Sequence, residues 1–164
     1  MSAELFRDRV RELAQHLGID GLVPNAHGVV SMAGNDGIWA HISYRPEDDR
    51  VHWTAAVANL TGRDSSKILR GVLSANLDQL RTKGCFFALE DTSQTVVLRY
   101  HEPMAGLHTQ RFLEATDSFV GVIEFWKTRL AKALARTQEQ DARSTALEFH
   151  GEASDAAIFL NNRV

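Results

Sequence analysis

The stretch SSKILRGVLSANLDQLRTKGCFFALEDTSQTVVLRY, residues 65–100, decides how the rest of the chain is read. Leu69, Val72, Leu73, Asn76, Leu77 and Leu80 recur three and four apart, which is helical spacing. Asp64 or Ser65 offers a capping side chain at the start, and Gly84 a stop just past the end. The spacing therefore predicts a helix running to about Arg81. Residues 85–89 then read as a strongly apolar strand, residues 90–94 as a polar hairpin connection, and residues 95–101 as the returning strand. The helix is apolar over more than one face. One face can meet its own sheet; the other has to be buried elsewhere.

Upstream, Leu5, Phe6, Val10, Leu13 and Leu17 mark an amphipathic helix over residues 3–17, with Gly18 as its stop. Residues 28–32 form a short apolar run that ends in Gly34-Asn35-Asp36-Gly37, and Asp-Gly is a strong tight-turn signal because both central positions need positive φ. Residues 38–44 and 51–57 alternate with period two on either side of a polar turn. If Arg45 pairs with Arg50, Ile42 falls opposite Trp53, and His41, Ser43, His52 and Thr54 share the other face. Downstream, Phe112, Thr116, Phe119, Ile123, Trp126, Leu130 and Leu134 keep helical spacing through residues 109–136. The order α-β-β-β-α-β-β-α, with hairpin-length links inside each strand group, predicts an α+β fold: a twisted antiparallel sheet packed by helices. Residues 1–138 read as one domain and residues 139–164 as an extension of unassigned role. The extension carries Glu139, Asp141, Glu148, Glu152 and Asp155 against Arg143 and Arg163. Its Leu147, Phe149, Ile158, Phe159 and Leu160 are too clustered for a solvated tail, and are expected to pack on the body or on a partner.

At 164 residues, 44% hydrophobic and 24% charged, the chain has the make-up of one globular domain with a core of its own. A net charge of −3 argues against nucleic-acid binding, which concentrates basic residues. The basic group Lys127, Arg129, Lys132 and Arg136 reads as a solvated helix face. The N-terminus reaches charge too early for a secretory signal, and no apolar run is long enough to insert in a membrane, so a reducing cytoplasm is expected. The single Cys85 excludes an internal disulfide and, between Gly84 and Phe86, reads as a buried inert thiol. No phosphate-cradling loop, GxGxxG, HExxH, GxSxG or CxxC is present. His41 and His52 can share a hairpin face but lack a third ligand, so neither metal nor cofactor is expected. Glu47, Asp48 and Asp49 read as a polar turn. With no catalytic residue in view, function is expected from surfaces.

The 65–100 stretch resembles the CesT-like family of type III secretion chaperones, class I, which serve individual effectors. The resemblance is carried by the leucine stripe with its Asn76-Leu77 pair and by Gly84 leading into Phe86-Phe87-Ala88-Leu89. Acidic Glu90-Asp91 and the closing Val96-Val97-Leu98 complete it. It implies a homodimer without enzymatic activity that binds the N-terminal segment of a secreted effector and keeps it secretion-competent without ATP. The secretion ATPase enters as a further partner the resemblance allows. For the dimer seam the helix offers Leu69, Val72, Leu73, Asn76, Leu77 and Leu80, with Asn76 as a polar register mark. For cargo, amphipathicity points to Leu5, Phe6, Val10 and Leu13 on the first helix and to Val29, Val30 and Trp39 on the early strands. Two rivals stay open: a regulatory or sensor domain of the same fold, and a small enzyme built around His41, His52 and Asp48.

Overall fold

The computed structural model describes the backbone of residues 2–34, 37–62 and 65–160, and the side chains of residues 2–33, 40–62 and 65–139. Helix α1 (Ser2–Leu17) is followed by strands β1 (Val29–Gly34), β2 (Gly37–Arg45) and β3 (Arg50–Asn59). Then come helices α2 (Ser66–Ala75) and α3 (Gln79–Thr82), strands β4 (Phe86–Glu90) and β5 (Thr95–Pro103), and helix α4 (Thr109–Leu160). The strands form one antiparallel sheet in the order β1-β2-β3-β5-β4. The expected register holds: Arg45 pairs with Arg50 and Ile42 with Trp53. The Asp36 turn lies outside the described residues.

Alternation sorts each strand between two faces. Val30, Ile42, Trp53, Leu98 and Phe87 point to one face and are buried there. Helix α4 covers them with the stripe its spacing predicts: Phe112, Phe119, Ile123, Trp126 and Leu130 are all buried. Trp53 donates from Nε1 to Thr116 Oγ1 at 3.1 Å, so this fully buried side chain also satisfies its polar atom. Helix α1 adds Phe6, Val10 and Leu13 to the same core. It is pinned to the start of α4 by Arg9, which donates to Leu107 O, Glu12 and Thr109 Oγ1. The opposite face carries exposed Ser31 and His41 and half-buried Thr54, Arg99 and His101.

Two elements differ from the sequence expectation. The helix predicted as continuous to Arg81 breaks after Ala75 and restarts at Gln79. Asp78 causes the restart, because its carboxylate accepts from the Arg81 backbone N–H as an N-cap. Lys83 and Gly84 then both take positive φ, which turns the chain sharply into β4. The last helix does not stop at Arg136. Its backbone stays helical to Leu160, for 52 residues in all.

Candidate functional site

Helices α2 and α3 divide the leucine stripe between core and surface. Ile68, Val72 and Ala75 face inward and are buried, and Leu69 is half-buried against the core. Val72 is thus corrected from seam to core: its side chain is already enclosed by its own chain. Leu73, Leu77 and Leu80 are 62%, 89% and 93% exposed. Single exposed leucines are ordinary, but three in eight residues, on α2, the link after it and α3, leave much apolar surface to water. Asn76 does not face outward with them. Its side-chain amide donates to the Phe87 carbonyl at 3.2 Å and accepts from the Phe87 N–H at 2.7 Å. The residue read as a register mark between helices instead covers the Phe87 position on the free edge of β4.

The first helix and the early strands change more. Phe6, Val10, Leu13 and Val30 are at most 2% exposed and belong to the core, so they are corrected from cargo contacts to structural residues. An amphipathic pattern cannot tell a face turned to the chain's own sheet from one turned to a ligand. Leu5, at 37% exposure, and half-buried Val29 keep accessible surface. The side chain of Trp39 lies outside the described residues.

What the sequence reading missed is the loop after α1. Ile19 and Val23 are exposed there, and a groove of about 670 Å³ runs between them and Arg7, Arg11 and Gln15 on the outer side of α1. The signal was present as Ile19, Leu22, Val23 and Pro24, an apolar loop next to glycines. The nearby edge of the sheet is open. Val29 gives its outward N–H and C=O to Asn25, at 3.0 and 2.9 Å. Strand alternation turns Ser31 to the same outward side, and its backbone groups have no partner among the described residues. Each outer strand thus has one position covered by an asparagine, Phe87 on β4 and Val29 on β1, and Ser31 leaves β1 able to pair.

Reactive groups offer little beside these surfaces. Burial pushes the Cys85 thiol up to about 12, far from a reactive thiolate. His52 Nε2 lies 3.0 Å from Asp48 Oδ2, and its ring centre is 5.6 Å from that of His101. His41 instead bonds Ser31 Oγ at 3.1 Å. Among the described residues no three ligating groups converge on a metal position. None of the described helices is long and apolar enough to cross a membrane.

Comparison with known proteins matches residues 9–127 to the profile of the Tir chaperone protein (CesT) family. No curated protein matches the chain in sequence. Among solved structures it is similar to a chain of the ExsC–ExsE complex, with a TM-score of 0.65 and 20% identity over 78% of this chain and 94% of that one. A chain of the HopA1–SchA chaperone–effector complex gives 0.65 and 16% over 78% and 97%. A chain of the Yersinia pestis complex of the type III secretion chaperone SycH with a fragment of YscM2 gives 0.56 and 18% over 74% and 98%. At such identities these structures share the fold.

Proposed function

Because the chain belongs to the Tir chaperone protein (CesT) family, we propose that it is a type III secretion chaperone that binds the N-terminal segment of a secreted effector. The match over residues 9–127, from α1 through the buried stripe of α4, carries this reading. The surfaces left over after the core is built supply the physics. A segment that must stay unfolded until export can lie along the groove beside α1, with apolar side chains on Ile19 and Val23. It can continue as an added strand on the open edge of β1. Such capture orders an extended chain, so part of its contact energy is offset by lost chain entropy, and no ATP is needed.

The exposed leucines of α2 and α3 form the seam of a homodimer in this reading, acting in the bacterial cytoplasm. Their desolvation gives two copies a reason to associate. The secretion ATPase is a further partner of the same complex.

The test is co-expression with a secreted protein encoded beside this one. Its N-terminal segment should co-purify with the chaperone and become soluble, whereas the same protein lacking that segment should not bind. Equal binding of both forms would sink the proposal.

A further inference from the structure

Helices α2 and α3 and the middle of α4 bound a cleft of about 200 Å³, apart from the groove beside α1. Ile68, Val72, Trp126 and Leu130 give it an apolar floor, and Lys67, Arg81 and Arg129 are its charged lining. Its wall on α2 includes Gly71, in the interior of that helix. Glycine weakens a helix relative to alanine, so α2 itself gains nothing from it. Packing does not require it either, because a Cβ on Gly71 would meet nothing within 4 Å. The glycine does keep the cleft open. Trp126 in the floor is 5% exposed, yet its Nε1–H has no acceptor among the described residues, which is rare for a buried donor.

At about 100° per residue, Phe125, Arg129, Lys132 and Arg136 fall on one flank of α4 beside the cleft, whereas Lys127 lies on the other. Phe125 is 55% exposed at one end of this flank. From Arg129 the cations run on for about 10 Å along the axis. Arg129 sits over the Trp126 ring, 5.7 Å from its centre. None of Arg129, Lys132 and Arg136 has an ion pair among the described residues. Between Phe125 and Gln138 the helix holds no acid, and residues 67–82 hold Asp78 alone, already 3.7 Å from Arg81. In a chain of net charge −3 this is a basic corner around an apolar hole. Such a field draws in anionic partners and rejects cationic ones.

We propose that this cleft binds an acidic segment of a partner protein. One large apolar side chain enters between Gly71 and Trp126, and carboxylates follow along Arg129, Lys132 and Arg136. The cleft admits one such side chain and not a whole helix. The row of cations outruns the cleft, so the occupant is longer than a small molecule. An apolar anchor in a pocket supplies affinity, and the charges beside it select the sequence. The cleft shares no lining residue with the groove beside α1. Leu73 lies about 160° round α2 from Gly71, on the far side of the helix. The site therefore adds a second partner, and it stands whether or not cargo binds at α1 or the leucines form a seam.

An array of short synthetic peptides of random sequence, probed with the full chain, tests it. Gly71→Leu fills the cleft without changing a charge and should leave the urea midpoint no lower. The peptides that the wild type binds and this variant loses should be net acidic and carry Leu, Phe or Trp. A labelled peptide from that set then reads the charges by fluorescence anisotropy. Arg129→Glu with Lys132→Glu, both exposed positions, should weaken its binding tenfold or more. Exchanging the acids of the peptide for lysines should restore binding to that variant. An array on which Gly71→Leu loses no peptide, or loses a set without acidic excess, overturns the proposal, as does failure of the exchanged charges to restore binding. Capture of phosphatidylglycerol vesicles, lost in the same variants while no peptide binds, would overturn it in favour of a membrane contact.

Discussion

The carboxamide of Asn76 holds both edge groups of Phe87, and this sets the value of the residue. Asn76→Ala leaves a partly buried N–H and C=O without partners, and should cost about 1–3 kcal/mol of stability by urea unfolding. An unchanged midpoint would mean that water replaces the amide at no cost. The buried histidines make a second residue-scale prediction. Burial pushes His52 below the ordinary 6.5, with Asp48 offsetting this only in part and Arg45 and His101 adding to it. Burial also lowers His101, and Arg50 and Arg99 act in the same direction against Asp48. Below pH 6.5 the unfolded chain therefore binds more protons than the folded one, so stability is lost as pH falls from that value. Asp48 shifts the same way: although burial alone would raise it, the His52 contact holds its carboxyl below the ordinary value, and its contribution too fades as pH falls, in a more acid window. The urea midpoint should fall between pH 7.5 and 5.5, and His101→Asn should flatten that slope. An equal slope in the variant would remove His101 as a cause.

At the scale of elements, α2 and α3 separate stability from association. Ile68 is buried, so Ile68→Ala should cost about 2–4 kcal/mol and lower the melting temperature. Leu77 and Leu80 are almost wholly exposed, so Leu77→Asp with Leu80→Asp should leave the folded monomer within about 0.5 kcal/mol of the wild type. The same pair of changes should shift the sedimenting species from dimer to monomer. A double variant that stays dimeric at the same concentration would move the seam off these leucines.

For the whole molecule the open edge at β1 offers a place for an added strand. Asn76 covers β4 at Phe87 and Asn25 covers β1 at Val29, and β1 turns Ser31 outward with its backbone groups open. Proline at position 31 removes an N–H that β2 does not use, and edge strands tolerate it. Ser31→Pro should keep the fold while weakening capture of an effector N-terminal peptide at least tenfold by titration calorimetry. Unchanged affinity would exclude strand addition at β1 and leave the groove beside α1 as the cargo surface.

Periodicity in the sequence determined the strands, their antiparallel pairing, the Ile42–Trp53 register and the buried stripe of α4, because period-two and period-3.6 patterns follow from local geometry. It also marked residues 65–100 as holding more apolar surface than one core needs. Which leucines are left over was a tertiary matter. Val72 points inward from within α2, while Leu77 lies past its end, between the Asn76 tie to β4 and the Asp78 restart, and is left exposed. For the same reason Phe6, Val10, Leu13 and Val30 proved to be core: a pattern records that a face is apolar, and only the packed neighbours say what covers it.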